Sequence, residues 1–370
     1  MSSPHSSAHT PLSSESTEPD SAESPALVLG GLSRGVAPSG SPAGVAKESD
    51  FPRSRGISQS AALELGRMDR LIFWSMVAVI HALSIIPDFV LYPLGVAGGW
   101  LAYHLDQRHA RIGMRNLEIA FPERTDTERR RILRGSYMNL GRTAAEYIRL
   151  GGFFYRRLAR RVTYNRLDIW NELKKKYPGK GALILTAHFG NFELLPAGHA
   201  LHGFQISLVH HTQRFMAGDA LMTFIRERAG VQIIRKHKAA REMLRTLMRG
   251  DLIGIPFDQN AKRSEAVWVP FFGELAATPA GFDRLAMIAG TPVVPVFIVR
   301  QRDGRSHVIE VYDEIEQQRT GDKNADAVEN TARYQKAIEA MVRAHPEQWL
   351  WTHRRYRTRP ESGSPSLYDA

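Results

Sequence analysis

The chain has 370 residues, which is enough for about two domains at roughly 100–200 residues per domain. Hydrophobic residues make up 43% of it. It contains no cysteine, which excludes disulfide bonds, thiolate zinc sites, iron–sulfur clusters and catalysis through a cysteine acyl-enzyme. Lysine and arginine number 49 against 38 aspartates and glutamates, so the net charge is +11. This surplus indicates an anionic partner, namely nucleic acid, an anionic membrane surface, or an acidic carrier or substrate.

Residues 1–66 differ in composition from the rest of the chain. They are rich in Ser, Pro and Gly and contain a single aromatic side chain, Phe51. Such a segment cannot bury enough apolar surface to offset its ordering entropy, so we predict a disordered tail. Its opening, MSSPHSSAHT, has neither the basic nor the apolar region of a secretory signal. Met68 is an alternative translation start.

Residues 67–104 are predicted to form a hydrophobic membrane anchor. Two uncharged runs, at 71–86 and 89–103, are separated by Pro87 and Asp88. Neither run reaches the roughly 20 residues that a helix needs to cross about 30 Å of hydrocarbon. The segment is therefore a broken span, a re-entrant hairpin or an interfacial anchor, and the alternative is a buried helix pair. Flanking arginines and aromatic residues favour attachment to a membrane.

Residues 105–360 are predicted to form one catalytic domain, followed by a flexible C-terminus at 361–370. A helical pattern follows the capping-box residues Thr125 and Glu128. Predicted strands lie at 182–187, 206–211, 231–235, 252–257, 292–299 and 307–312, and predicted helices at 192–202, 217–229, 238–249, 279–290 and 325–344. This alternation predicts an α/β fold, an αβα sandwich with a mostly parallel sheet, preceded by the N-terminal membrane-associated helical segment.

The first strong strand leads directly into HFGNFE at 188–193. Ligands of open α/β sheets bind outside the carboxyl ends of strands. If His188 stays in the loop and Asn191 caps the following helix, Glu193 lies in the first turn and can fold back toward the imidazole. Such a pair would be a general-base dyad for deprotonating a hydroxyl. The alternative is a capped turn that carries a surface histidine.

Other catalytic signatures are absent or weak. The sequence has no G-x-S-x-G, Walker, G-x-G-x-x-G or H-E-x-x-H motif. Five histidines fall within 24 residues: His188, His199, His202, His210 and His211. His199 and His202, with Glu193 or His188 as a third ligand, would suit a metal hydrolase, but no carboxylate-rich second cluster accompanies them. We therefore predict no metal and no cofactor. The arginines are interspersed with acidic residues and no nucleic-acid-binding signature appears, so we predict no nucleic-acid partner.

Five blocks together resemble the bacterial lipid A late acyltransferase family, which belongs to the wider glycerolipid-acyltransferase-like group. The blocks are NLEIAFPE at 116–123, HFGNFE at 188–193, DQN at 258–260, VPFFGELAATPAG at 269–281 and PEQWLWTHRRYRTRP at 346–360. They occur in one order and cover roughly residues 68–360. The long Ser/Pro-rich tail is not part of the family pattern.

The resemblance implies a membrane-anchored domain on the cytoplasmic side of the inner membrane. It implies transfer of a fatty acyl chain from an acyl carrier protein thioester to a hydroxyl of a lipid A precursor, an anionic glycolipid, by direct attack and without a cofactor. An acyltransferase for another glycolipid, such as phosphatidylinositol mannoside, is the alternative, although those usually have Asp in place of Glu193. A histidine-ligated metal hydrolase and a non-catalytic membrane adaptor are more distant alternatives.

The resemblance also implies residue roles. His188 would take the proton from the acceptor hydroxyl, while Glu193 orients and polarises the imidazole. Asp258, after the strand at 252–257, would anchor polar groups rather than act as a base; otherwise it caps a turn. A substrate-binding arginine lies between the second and third strands, where both Arg226 and Arg228 are candidates, since a guanidinium suits phosphate.

The last two blocks also indicate roles for their residues. Thr278 and Pro279 are predicted as the N-cap and first residue of a helix. Arg354 and Arg355 are candidates for contact with phosphate or with the carrier. The aromatic residues around them are expected to pack in the fold or to touch the membrane interface.

Overall fold

A computed structural model of the chain describes residues 65–210, 212–235, 239–361 and 363–368. The predicted disordered tail therefore lies almost entirely outside the described residues. His211, one of the candidate metal ligands, also lies outside them.

The helices are α1 (Arg67–Leu83), α2 (Asp88–Leu105), α3 (Gln107–Ala120), α4 (Asp126–Gly151), α5 (Tyr155–Ala159), α6 (Ile169–Lys176), α7 (Leu194–Leu201), α8 (Met216–Arg228), α9 (Ala239–Met248), α10 (Gly281–Ala289) and α11 (Lys323–Ala344). The strands are β1 (Val162–Tyr164), β2 (Ala182–Thr186), β3 (Ile206–His210), β4 (Gln232–Arg235), β5 (Leu252–Pro256), β6 (Ala266–Phe271), β7 (Glu274–Pro279), β8 (Val293–Arg300) and β9 (His307–Val311). Short 3₁₀ helices span Arg263–Glu265 and Pro346–Gln348.

The described residues form a seven-stranded sheet in the order β1-β9-β8-β2-β5-β3-β4. Only the β8–β9 pair in it is antiparallel. The central strand β2 is buried along its whole length because both faces are covered, as parallel sheets require. Its alternate side chains enter two cores: Leu183 and Leu185 pack in one, Ile184 in the other. The predicted α/β fold with a mostly parallel sheet is confirmed.

The segment predicted as an anchor forms α1 and α2. Within the described part of the chain, no single helix is long and apolar enough to cross a membrane, whereas α1 and α2 together, bent by 120°, satisfy the same test of length and composition. The backbone of α2 crosses α4 at close range. A Cβ atom at Gly95 would lie 2.6 Å from the carbonyl oxygen of Gly141, and one at Gly99 would lie 2.3 Å from that of Tyr137. Only glycine permits this approach.

The β6–β7 hairpin was not predicted, and it corrects one expectation. Thr278 and Pro279 lie in β7, and the next helix begins at Gly281, so they are not its N-cap and first residue. Thr278 accepts a hydrogen bond from the guanidinium of Arg355 at 2.6 Å. That arginine is fully buried and also donates to the carbonyl oxygen of Ala277, so it holds the hairpin and is not available to a phosphate or a carrier.

The C-terminal segment makes defined contacts where the structure describes it. Tyr368 packs against the core, and its hydroxyl donates to the side-chain oxygen of Asn116 at 2.7 Å. The same hydroxyl accepts the backbone N–H of Tyr356 at 3.1 Å. The segment predicted to be flexible therefore packs against the block at 116–123.

Candidate active site

His188 lies in a tight loop directly after β2. The loop turns at Gly190, which has φ of 59°, and a Cβ atom there would overlap the carbonyl oxygen of Ile298 at 1.8 Å. The backbone of His188 accepts a hydrogen bond from Leu350, and Gly190 donates one to Gln348. Glycine is needed here for both the conformation and the space. The C-terminal block at 346–360 thus fixes the path of the loop.

Asp258 is the carboxylate that binds the imidazole. The Nδ1 atom of His188 lies 2.8 Å from Oδ1 of Asp258, and the backbone N–H of His188 donates to Oδ2 at 2.9 Å. The indole of Trp349 donates to the same Oδ2 at 2.8 Å. The Asp258 side chain is only 3% exposed and that of His188 is 21% exposed. A carboxylate at Nδ1 fixes the tautomer that leaves Nε2 unprotonated and able to accept a proton.

The two groups shift each other's pKa. Burial alone would raise the pKa of Asp258, but the charge and hydrogen bonds of His188, together with the Trp349 indole, outweigh it and lower that pKa to about 2. Burial alone would lower the pKa of His188, but the charge and hydrogen bond of Asp258, with the charge of Glu193, raise it above its usual value. Asp258 is therefore ionised at neutral pH, and His188 is a stronger base than a free histidine.

The expectation that Glu193 contacts the imidazole is not met. Both of its carboxylate oxygens bind Arg226: Nε donates to Oε2 at 3.0 Å and Nη2 to Oε1 at 2.6 Å. The planar guanidinium offers two parallel donors that match a carboxylate, so this pairing is favoured once α8 lies beside α7. Glu193, and not Asn191 as predicted, occupies the N-cap position of α7, although the side-chain oxygen of Asn191 accepts the N–H of Leu194 at 3.0 Å. The charge of Glu193 raises the pKa of His188, while the charge of its partner Arg226 lowers it.

Arg226 is the first link of a chain of buried polar groups. Its Nη1 donates to Nδ1 of His210 at 3.0 Å, and Nε2 of His210 lies 2.7 Å from the carboxylate of Asp219. The side chains of Arg226 and Glu193 are only 12% and 13% exposed. Each of the three guanidinium nitrogens of Arg226 therefore binds a protein group. His210 was named only in the histidine cluster and Asp219 was not named, because their link to Arg226 depends on where α8 lies in the fold.

A second buried network of polar side chains holds the loop that follows His188. The carboxylate of Glu146 on α4 binds Arg300 and accepts a hydrogen bond from the Asn191 amide at 2.7 Å. The amide of Asn139 donates to the carbonyl oxygen of Gly190 at 3.1 Å. Glu146 is fully buried. These contacts connect the residues between His188 and Glu193 to α4 and to the end of β8.

The family assignment follows from comparison with known sequences. A family model described as bacterial lipid A biosynthesis acyltransferase matches residues 61–358. The chain belongs to this family. It is an acyltransferase of lipid A biosynthesis (EC 2.3.1.-).

Curated relatives of this acyltransferase cover most of its length. It is 29% identical over 297 residues to the lipid A biosynthesis lauroyltransferase of Escherichia coli, and 27% identical over 302 residues to the palmitoleoyltransferase of the same species. It is also 27% identical over 302 residues to a lipid A biosynthesis acyltransferase of Haemophilus influenzae. Each alignment covers 80% of this chain and 94% of the relative.

The other candidate arginines of the acyltransferase lie elsewhere. Arg228 points away from Glu193, toward the imidazole of His81 on α1 and the ring of Tyr155. Arg354 stacks over the ring of Tyr368, with 5.8 Å from guanidinium to ring centre. Of Arg226, Arg228 and Arg354, Arg226 is the one that binds Glu193 beside His188.

The DQN block does converge on the imidazole. The side-chain amide of Gln259 lies 3.3 Å from Nε2 of His188, on the side where a proton would be accepted. The next residue, Asn260, donates its backbone N–H to Nε2 of His353 at 3.1 Å. Burial lowers the pKa of His353 to about 4, which keeps that imidazole neutral. Gln259 and His353 are site residues that sequence reasoning did not name.

Histidines outside the site have structural partners. Nδ1 of His199 lies 2.6 Å from the hydroxyl of Tyr164, and burial lowers the pKa of His199 to about 3. His202 binds the carbonyl oxygen of Gly198. In the part of the chain that the structure describes, no three groups of the kinds that bind metals are close enough to hold an ion. The metal-hydrolase alternative therefore finds no ligand set among these residues.

Proposed function

We propose that this enzyme transfers a fatty acyl chain from an acyl carrier protein thioester to a hydroxyl of a lipid A precursor, with His188 as the general base. The location would be the cytoplasmic face of the inner membrane. The observation that carries the proposal is the His188–Asp258 pair, because a carboxylate at Nδ1 leaves Nε2 of a partly exposed imidazole unprotonated. The acceptor hydroxyl would take the place of the exposed Gln259 amide, which lies 3.3 Å from that Nε2.

In the proposed reaction, Nε2 of His188 takes the proton of the acceptor hydroxyl as its oxygen attacks the thioester carbonyl carbon. The ester bond forms, the carbon–sulfur bond breaks, and the imidazolium returns its proton to the departing thiolate. Asp258 stabilises the imidazolium electrostatically while remaining ionised. The charge of Glu193 also favours the imidazolium, and the charge of Arg226, which is paired with Glu193, opposes it. No enzyme thioester is required.

The charge of the chain and the names of its relatives support the proposed partners. The net charge of +11 suits an anionic glycolipid, an acidic carrier and an anionic membrane. The relatives named above all act in lipid A biosynthesis, which favours lipid A over phosphatidylinositol mannoside as the acceptor.

The test is acyl transfer by purified protein in detergent. Acyl carrier proteins that bear different chains are incubated with a tetraacylated lipid A precursor, and product mass is followed. The expected product gains one acyl group, and His188→Ala lowers the rate by about 10²- to 10⁴-fold, the usual contribution of a general base. His109→Ala is the matched control, because that histidine is exposed on α3 and binds only Asp106 there.

Two results would contradict the proposal. A folded protein that transfers no chain from any donor would exclude this donor and acceptor pair. A His188→Ala variant with an unchanged rate would exclude the histidine as the base.

A further inference from the structure

We infer that three arginines beside the turn between β8 and β9 bind a phosphate group of the glycolipid acceptor. We call them the arginine site and define it as Arg142 on α4, Arg161 directly before β1, and Arg305 in the turn. The inference rests on the proposed function and adds where the anionic part of the acceptor is held.

The arginine site lies at the same edge of the sheet as the catalytic pair. Strand β8 runs parallel to its neighbour β2, so both strands end at this edge. His188 follows β2, and the turn at 301–306 follows β8. Neighbouring strands are about 4.8 Å apart, and ligands of parallel sheets bind outside the carboxyl ends of the strands. One extended ligand can therefore contact both the imidazole and the turn.

Two of the arginines meet at the ring of Tyr92 on α2. The guanidinium carbon of Arg305 lies 5.7 Å from the centre of this ring, and that of Arg161 lies 5.9 Å from it. Arg161 also donates to the hydroxyl of Tyr92 at 3.3 Å, and its backbone carbonyl accepts the N–H of His307 at the start of β9. Because Tyr92 is buried, its ring holds both guanidinium groups beside the turn.

Arg142 reaches the same turn from α4. Its Nε atom lies 3.5 Å from the position that a Cβ atom of Gly304 would occupy. The carbonyl oxygen of Gly304 also accepts a hydrogen bond from Arg300 at 3.3 Å. Arg142 is half-buried, and burial, together with the positive charge of Arg300, lowers its pKa despite the opposing charge of Glu146. A positive charge at this position is therefore unfavourable unless an anion lies beside it.

The carboxylates near the arginine site already have other partners. Glu146 pairs with Arg300. Asp88 pairs with Arg161 and with an arginine of α4. Asp303 accepts hydrogen bonds from backbone N–H groups of its own turn. These contacts leave part of the positive charge of the arginine site without a matching carboxylate.

Two guanidinium groups of the site carry this unmatched charge. In the part of the chain that the structure describes, neither Arg142 nor Arg305 forms an ion pair with an aspartate or a glutamate. A guanidinium offers paired N–H donors that match the oxygen atoms of a phosphate. A phosphate group between these two arginines and Arg161 would neutralise them and accept a hydrogen bond from each.

The surroundings of the arginine site favour a phosphate that is attached to a lipid. Phe89 and Leu94, within one turn of Tyr92 on α2, are 71% and 58% exposed. A ligand with acyl chains beside its phosphate would cover these apolar side chains, whereas a soluble anion would not. Together with the shared edge of the sheet, this favours the phosphorylated acceptor as the ligand.

The test compares two acceptors that differ only in phosphate. The tetraacylated precursor is used intact and after enzymatic removal of its phosphate groups, in neutral detergent with the full-length chain. In Arg142→Gln/Arg305→Gln, KM for the intact acceptor should rise on the order of 10²-fold, about tenfold for each hydrogen bond to a charged group that is lost, with kcat nearly unchanged. KM for the dephosphorylated acceptor should equal that of the wild type.

Two further variants complete the comparison. Arg305→Gln alone, at an exposed position, should raise KM for the intact acceptor about tenfold, so the test does not depend on the folding of the double variant. Arg241→Gln/Arg245→Gln is the matched control, because it removes the same charge from exposed positions of α9, which leads into the start of β5 at the opposite edge of the sheet. It should leave both KM values unchanged.

Binding is also measured without a donor, so that it does not depend on acyl transfer. Equilibrium binding of the intact precursor in neutral detergent should weaken by the same factor in Arg142→Gln/Arg305→Gln. A protein that transfers no acyl chain but shows this loss of binding would refute the proposed reaction and leave the arginine site standing.

Three results would overturn the inference. Equal KM values for the intact acceptor in the wild type and in Arg142→Gln/Arg305→Gln would exclude these arginines as its binding residues. A loss of the same size for the intact and the dephosphorylated acceptor would show that they do not recognise phosphate. An unchanged KM together with weaker binding to micelles that contain phosphatidylglycerol would assign the site to a phospholipid headgroup instead of the acceptor.

Discussion

Replacement of Asp258 by Asn should lower kcat of acyl transfer by about 10²- to 10⁴-fold, nearly as much as loss of the imidazole itself. The carboxylate accepts from Nδ1 and from the backbone N–H of His188. An amide at this position can donate to Nδ1 and so stabilise the tautomer with the proton on Nε2. That tautomer cannot take a proton from the acceptor hydroxyl.

The same variant should change the pH dependence of kcat/KM. In the wild type the base must be neutral, and the raised pKa of His188 places the acidic limb at a higher pH than an ordinary histidine would. Removal of the Asp258 charge destabilises the imidazolium, lowers the pKa and moves that limb to lower pH. Asp251→Asn is the matched control, because it lies at the other end of β5. A limb that stays in place in Asp258→Asn would show that Asp258 does not act on the titrating group.

Replacement of Arg300 by Met should lower the free energy of unfolding by about 3–5 kcal/mol, because it removes the guanidinium that pairs with the buried carboxylate of Glu146. Urea denaturation followed by circular dichroism measures this change. Arg333→Gln is the control: its pair with Glu329 is exposed, so the loss should stay below about 1 kcal/mol. A loss that small for Arg300→Met would show that the buried pair does not stabilise the fold.

The Glu146 carboxylate also sets a pH dependence of stability. Burial would raise its pKa, but His307 and Arg300 outweigh burial and lower the pKa to about 2. Since the folded-state pKa lies below the unfolded value, the stabilisation is fully present above the ordinary carboxyl pKa and is lost as pH falls toward about 2. In Arg300→Met the destabilisation should therefore be largest at neutral pH and should diminish on acidification.

Much of the sheet could be predicted because its strands are buried apolar runs between helices of clear period. The six predicted strands match β2, β3, β4, β5, β8 and β9 closely. The hairpin of β6 and β7 was missed because its turn is formed by Phe272 and Gly273, and Phe272 adopts φ of 52°. Hairpin turns of this kind usually contain Asn or Asp at that position. Strand β1 has only three residues and lacks an apolar run.

Several residues of the site could be predicted from the sequence, but only some of the contacts between them could. His188 and Asp258 both follow strands, and β2 pairs with β5 so that Thr186 lies opposite Pro256. The two side chains two residues further on therefore meet, although 70 positions separate them. Local spacing favoured Glu193 as the partner because strand order was unknown. The role of Arg226 could be assigned only once α8 was placed beside α7.

Helix α2 crosses α4 at glycines in both helices, so α1 and α2 fold together with the rest of the described protein. A recombinant fragment that begins after α2 would expose the groove that Gly141 opens in α4, together with apolar side chains that α1 and α2 normally cover. An uncovered apolar patch of this kind promotes aggregation. A homogeneous preparation of this acyltransferase should therefore retain α1 and α2 and contain detergent that covers their exposed apolar side chains.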